Sequence, residues 1–563
     1  MDNKQILVQA VAPIVGDHLS EEEILDLIEV PKDTNHGDLA FPVFTLARVF
    51  RKAPQQIAQD IVDEIDGSNF AHVEAVGPYI NVKLKREPVG GEVVKTILEE
   101  KSHYGNSQFG KGRNVTIDFS SPNIAKPMSM GHLRSTVIGN AVSNLLEKVG
   151  YNPIRINHLG DWGTQFGRLI VAYQKWGDEE TVKKDPVNEL VKLYVDFHER
   201  LEEEPELEEE GRLAFKRLED GDEEMIHLWE WFKDESLKEF QKVYDMLEIS
   251  FDSYNGEAFY NDKMQAVIDQ LEESGLSKID QGATIVDLEK YDLPPALIRK
   301  SDGATLYATR DITAALYRKK TYDFAKNIYV VGNEQRVHFE QLKCVLKEMG
   351  YDWADDIVHV AFGLITLDGK KLSTRKGKVV LLEEVLNEAI ELAMKQIQEK
   401  NPDLEHKEEV AHQVGVGAVV FHDLKNDRRN NFDFDLEEIV QFEGETGPYV
   451  QYTYARSMSI LRRADYQESM TIDFNLNDDY SWEIVKKLVD YPSVVNFAAE
   501  RYEPSAIAKY ALQLAQLFNK YYANVRILDE DDQLESRLAL VNSLAIVLKD
   551  ALKLLGVHAP SKM

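Results

Sequence analysis

The 563-residue chain is too long for one hydrophobic core, so roughly two to four domains are expected, and 43% hydrophobic residues supply their interiors. Its single cysteine, Cys344, excludes an internal disulfide and a Cys-cluster zinc site, and no stretch reaches the roughly eighteen apolar residues of a membrane span. A formal charge of −33 repels polyanions at long range, so a nucleic-acid partner has to meet local basic patches. The opening MDNKQILVQAVAPIV lacks a basic start followed by a long apolar core, which predicts an unexported, cytoplasmic protein with no membrane association.

Residues 1–110 read as a small α/β domain. Ile24, Leu27 and Ile28 begin a helical stripe that Pro31 ends, and Ile57, Ile61, Val62 and Ile65 form a second. In VEAVGPYINVKLKRE, Ile80, Val82 and Leu84 alternate with Asn81, Lys83 and Lys85, the period of a half-exposed strand.

The stretch Val115 to Asn140 carries the most chemistry. Val115, Ile117 and Phe119 alternate with Thr116, Asp118 and Ser120 as in a strand, and Pro122 stops it. Gly131 permits close backbone approach, after which Leu133, Val137, Ile138 and Ala141 recur at helical spacing. A strand, loop and helix in that order offer free N–H groups and a positive dipole end to a phosphate. His132 at the helix start can donate to a phosphate whose charge grows during reaction, and a capping or packed histidine is the plain alternative. There is no GxxxxGK[ST] run and no Rossmann glycine fingerprint.

A second strand around Ile154 and Ile156 runs through the turn at Gly160 to Gly163 into another helix, which predicts a doubly wound parallel sheet with ligands at the strand C-terminal ends. His158 and Asp161 fall at that rim, as pocket lining or as helix caps. From about 178 to 255 the chain is acidic and helical, and Leu228, Trp231 and Phe232 give it an apolar face to bury, which marks an insertion and not an acidic tail. Ile328 to Val331 reads as a strand buried on both faces. Tyr307, Asp311 and Gln335 lie near the ends of such elements, although Asp311 taken singly is a helix N-terminal carboxylate beside Arg310.

Leu364, Ile365 and Leu367 suggest a strand, and Asp368-Gly369 is a tight-turn pair, so Lys370, Lys371, Arg375, Lys376 and Lys378 lie on the return of a hairpin. Such a loop concentrates the positive charge that triphosphate binding needs. After about 385 the pattern is helical to the end, broken at Gly444, Gly447 and Pro448. Arginines at 428, 429, 456, 462 and 463 with Tyr449, Tyr452 and Tyr454 can stack on unpaired bases, or form solvated faces and bundle core.

SSPNIAKPMSMGHLRST resembles the His-Ile-Gly-His region of class I aminoacyl-tRNA synthetases in its arginyl form, and the likeness runs from end to end. Ser129 and Met130 stand where that signature has its first His and its Ile, while Gly131 and His132 remain. KLSTR at 371–375 is similar to the Lys-Met-Ser-Lys-Ser signature, with Leu372 and Arg375 departing from it and Thr374 replacing the second lysine. In arginyl enzymes with that departure a lysine ahead of the first signature takes over, and Lys126 holds its place.

The resemblance implies a Rossmann-like catalytic domain over 111–385, a small α/β N-terminal domain touching the outer corner of tRNA, and an all-helical anticodon-binding domain over 386–563. It implies an arginine–tRNA ligase: arginine attacks the α-phosphorus of ATP, supplied with Mg²⁺, and the arginyl group passes to the terminal 2′-hydroxyl of tRNA(Arg). Arginyl enzymes usually need tRNA bound before they activate the amino acid. The residues carried over are Lys126, His132, Lys371, Ser373 and Lys376 for catalysis, and Pro122, Ser129, Gly131, His132, His158 and Lys371 for ATP. For arginine they are Asp118, Asn123, Tyr307, Asp311 and Gln335, whose carboxylates and acceptors suit a planar, five-donor guanidinium. For tRNA they are Arg428, Arg429, Tyr449, Tyr454, Arg456 and Arg462. A monomer without structural metal or zinc is expected. Two rivals stay open: an adenylating enzyme for another carboxylate that ignores RNA, and a non-catalytic RNA-binding relative.

Overall fold

The computed structural model describes residues 3–301, 307–366 and 379–563, and the backbone alone at 367, 370–371, 374–375 and 378. The N-terminal domain packs helices against an antiparallel sheet of β1 (Leu39–Pro42), β2 (Phe70–Val76) and β3 (Tyr79–Leu84) in the order β1-β3-β2. The stretch expected as one half-exposed strand is a hairpin, turning at Gly77 with a left-handed φ of 57°. Because β3 is the middle strand, its Asn81 is buried against the expectation from alternation.

The middle of the chain centres on a parallel sheet of β4 (Asn114–Asp118) and β5 (Asn152–Ile156), then, after a small antiparallel sheet formed by β6 (Ser277–Asp280), β7 (Ala283–Val286) and β8 (Ala296–Arg299), β9 (Lys326–Gly332) and β10 (Ile357–Phe362). The order β10-β9-β4-β5 is that of a doubly wound sheet whose winding reverses between β4 and β9. A crevice opens at such a reversal, beyond the carboxyl ends of those two strands. Val115, Ile117, Ile328, Val330 and Val360 fill the sheet's core, each one at most 1% exposed.

The helix Leu133–Lys148 crosses this sheet and is apolar or small nearly all round, so it is buried along its length. Gly139 lets it approach β4: a Cβ there would lie 2.2 Å from Cγ of Phe119. Any larger residue would force the helix off the strand, an overpacking that costs about 1–3 kcal/mol. The acidic stretch forms helices Glu179–Lys184, Pro186–Arg200, Glu206–Glu219 and Glu223–Leu247, and Phe232 is fully buried on the last. After β11 (Ile365–Leu367), the chain from Leu382 on is almost wholly helical, with long helices at Lys407–Lys425, Gly447–Arg463, Asp479–Arg501, Pro504–Asn524 and Leu534–Leu554. Among the described residues no helix is long and apolar enough to cross a membrane.

Candidate active site

β4 ends at Asp118 on the edge of the crevice, and the loop behind it is held in strained backbone. Ser120, Ser121 and Ala125 have φ of 68°, 49° and 59°, a left-handed region costing about 1–2 kcal/mol per side-chain-bearing residue. Hydrogen bonds hold them there: the Ser120 N–H donates to Ser135 Oγ at 3.0 Å, that of Ala125 to Ser236 Oγ at 3.0 Å, and that of Ile124 to the Gly160 carbonyl at 3.1 Å. A Cβ at Gly160 would fall 1.9 Å from Asn123 Oδ1, so a larger residue there would displace the Asn123 side chain. The loop thereby presents Pro122, Asn123 and Lys126 in one fixed arc.

The Leu133 helix begins through a short 3-10 turn, Met130–His132, with Ser129 as its cap. Ser129 Oγ accepts from the Gly131 N–H at 3.3 Å, and the Ser129 N–H donates to His132 Nδ1 at 3.0 Å. Burial lowers the His132 pKa, and the nearby Lys126 ammonium lowers it further. The imidazole is therefore neutral at pH 7, with its Nε2–H left over for a ligand. A cavity of about 380 Å³ is lined by Asn123, Lys126, Ser129 and His132, with Gln165 and Tyr194 on its far wall.

A cluster of buried charge lies outside the lining of this cavity and is joined to its loop through Ser121. Asp118 Oδ2 accepts from Arg318 Nη2 at 2.8 Å, and Asp118 Oδ1 from Ser121 Oγ at 2.9 Å. Asp311 Oδ2 lies 2.5 Å from His338 Nε2; that contact raises the His338 pKa against the effect of burial and lowers that of Asp311. His158 is half-buried, and desolvation lowers its pKa despite the Asp118 and Asp311 carboxylates near it. Its Nδ1 has no partner among the described residues. Glu257 is pushed up to about 7, chiefly by burial, and its carboxylate raises the pKa of Tyr307. Tyr307 opens its helix, largely exposed, and Gln335 is exposed in the turn that follows β9.

Of the basic hairpin, β11 pairs antiparallel with Lys370–Lys371, placing Lys371 opposite Thr366. The side chain of Lys371, and Ser373 and Lys376 altogether, lie outside the described residues. The chain that returns from this stretch runs against the first signature: the Met130 N–H donates to the Val380 carbonyl at 2.9 Å and that of Leu382 to the Met128 carbonyl at 3.0 Å. The basic segment is thus anchored at its end beside Ser129.

The RNA candidates divide into free and committed side chains. Tyr454 is 5% exposed in the bundle core, and Tyr449 OH accepts from Asn519 Nδ2 at 3.0 Å. Arg428 donates to the carbonyls of Ala361 and Tyr502, while Arg429 is exposed and pairs with Asp427 at 2.6 Å. Arg456 is sandwiched between Tyr452 and the exposed Tyr522, 5.0 and 4.8 Å from their ring centroids. Arg462 is exposed, with one bond to the Ser561 carbonyl.

Sequence reasoning missed Arg318, His338 and Glu257. Arg318 follows Asp311 by seven residues, two helical turns, so it lies on the same face, and that spacing is a readable signal. Among the described residues no group of three or more His, Cys, Asp or Glu side chains is placed to hold a metal ion.

Comparison with known proteins gives concordant results. The family "tRNA synthetases class I (R), catalytic domain" matches residues 93–436, the DALR anticodon binding domain 450–563, and the arginyl tRNA synthetase N terminal domain 2–84. The arginine–tRNA ligase of Enterococcus faecalis is 64% identical, and that of Latilactobacillus sakei 61%, each over 563 residues and the whole of both chains. Among solved structures, the arginyl-tRNA synthetase of Thermus thermophilus superposes with a TM-score of 0.81 at 26% identity, covering all of both chains. That of Plasmodium falciparum gives 0.80 at 25% identity, over 99% of this chain and 98% of its own.

Proposed function

The chain belongs to the arginyl family of class I tRNA synthetases, and from that membership we propose how its residues divide the work of an arginine–tRNA ligase. An oxygen of the arginine carboxylate attacks the α-phosphorus of ATP, the bond to the β-phosphate oxygen breaks, and arginyl-adenylate and pyrophosphate form. The 2′-hydroxyl of the terminal adenosine then attacks the arginyl carbonyl and AMP leaves. ATP enters as its magnesium complex, the metal arriving with the substrate.

The neutral imidazole of His132 donates its Nε2–H to the α-phosphate as charge builds on it, and Lys126 neutralises the departing pyrophosphate. Pro122, Ser129, Gly131 and His158 shape the nucleotide's seat, and Lys371, Ser373 and Lys376 complete the phosphate contacts. Asn123 holds the amino-acid end of arginine. Asp118, Asp311, Tyr307 and Gln335 frame its guanidinium, with Glu257 a further carboxylate at the mouth. The fixed loop does most of its work by positioning, which is the larger part of catalysis in phosphoryl chemistry.

Residues 1–110 would touch the tRNA corner, 111–385 catalyse, with a helical insertion over 178–255, and 386–563 read the anticodon end. There Arg429, Arg456 with Tyr452 and Tyr522, and Arg462 offer charge and ring faces to RNA, while Tyr449 and Tyr454 hold the bundle that carries them. The protein works as a monomer in the cytoplasm.

One observation carries the reading: Asn123, Lys126, Ser129 and His132 line a single cavity, and Ser121 of the same loop donates to Asp118 of the acidic cluster. Arginine-dependent ATP–pyrophosphate exchange, run with and without tRNA, tests it. Exchange with arginine and tRNA supports the assignment. Exchange driven by another acid, or none under any condition, overturns it.

A further inference from the structure

Arg428 does not lie as an RNA-facing side chain. Its guanidinium reaches in two directions, giving Nη1 to the Ala361 carbonyl near the end of β10 at 2.6 Å and Nε to the Tyr502 carbonyl at 2.9 Å. Tyr502 occupies the corner between the long helices Asp479–Arg501 and Pro504–Asn524 of the C-terminal bundle. The segment around Arg428 is also bonded to the strand that bears the basic hairpin. The Gly363 N–H donates to the Arg428 carbonyl at 2.8 Å, that of Leu364 to Asn431 Oδ1 at 2.6 Å, and Phe432–Asp433 pairs in parallel with Ile365–Thr366. A second tie starts two residues after His132. Buried Arg134 gives Nη1 to the carbonyls of Gly363 and Asn430, at 3.1 and 2.9 Å, and faces Asp423 across 3.4 Å.

We propose that Arg428 is a positioning residue for amino-acid activation, a strap by which the corner of the helical bundle sets the base of β11 and so the strand that continues to Lys371. The inference rests on the ligase reading above. Its physical basis is that Arg428 bonds both to the sheet end and to the bundle corner, and that its side-chain hydrogen bonds among the described residues go to the backbone carbonyls of Ala361, Tyr502 and Arg501. A shift of that corner when RNA settles on the bundle is then passed to the catalytic face without any ligand touching Arg428.

The test is Arg428→Met and Arg428→Lys in the full-length protein, measuring arginine-dependent exchange at saturating tRNA, tRNA affinity by fluorescence titration, and thermal unfolding. The expected result for Arg428→Met is a fall in exchange kcat of roughly three- to thirty-fold, the span of a coupling carried through packed elements, with KM for ATP and arginine and Kd for tRNA all within about twofold. Arg428→Lys, which keeps a donor for the Ala361 carbonyl, recovers part of that loss. If instead tRNA Kd rises and kcat is restored by saturation, Arg428 is a phosphate contact and the proposal falls. It falls equally if only the melting temperature drops. Absence of arginine-dependent exchange in the unaltered protein would dispose of the ligase reading itself, a result distinct from either.

Discussion

His132 Nδ1 accepts the backbone N–H of Ser129 at 3.0 Å, so the hydrogen of the neutral ring is on the opposite nitrogen, facing away from its own cap. Ser129, the residue that replaces the first signature histidine, is thus what fixes the tautomer of the second. His132→Ala should slow exchange by about one to three orders of magnitude, the loss of one transition-state donor, with an unchanged melting temperature. Since burial lowers the pKa from the ordinary 6.5, ionisation of His132 should mark the rate on the acid side of that value. An unaltered rate in the alanine variant would make this histidine a helix cap and nothing more.

The pair formed by Asp311 and His338 gives a second prediction. Asp311→Asn should raise KM for arginine several-fold more than KM for ATP, because the amide loses both a charge and the hold of His338; equal effects would count against a guanidinium role.

The same pair has a pH signature. The His338 pKa is raised in the folded state, so its stabilising contribution is complete below the unfolded value near 6.5 and is lost as pH climbs through the folded value. Asp311 is shifted down, so its share is present above about pH 4 and vanishes on acidification through its folded value. His338→Gln should therefore lower the melting temperature more at pH 6 than at pH 8.5. A uniform drop at both would show that only packing had been lost.

Arg318 and Asp118 are both nearly inaccessible, and removing one partner leaves the other charge buried alone. Arg318→Met should cost on the order of 3–5 kcal/mol, read as a marked fall in denaturation midpoint, whereas a variant as stable as the parent would mean the pair contributes nothing.

Glu257 ionises near pH 7, so the mouth of the acidic cluster gains negative charge between pH 6 and 8. Arginine KM should decline across that interval, and Glu257→Gln should flatten the dependence. A slope that survives the substitution would assign the ionisation elsewhere.

Local pattern made much of the architecture legible. Alternation at 115–119, the apolar run at 328–331 and the two strand-turn-helix steps sufficed for a parallel sheet, because burial in such a sheet leaves a mark on each strand separately. What escaped was set by partners far apart in sequence. Asn81 is buried only because β1 and β2 flank its strand, and Arg318 meets Asp118 across 200 residues. Arg428 read as a free cation because nothing adjacent in sequence announces the carbonyls of Ala361 and Tyr502.

The internal guanidinium on Asp118 and the imidazole on Asp311 have one more effect. With Asp118 and Asp311 each already matched to a cation of the protein itself, the charge that varies with pH at the mouth of the crevice is that of Glu257. A planar guanidinium, with donors in several directions, then suits fixed acceptors that a compact ammonium would meet less fully, so shape adds to charge in the discrimination.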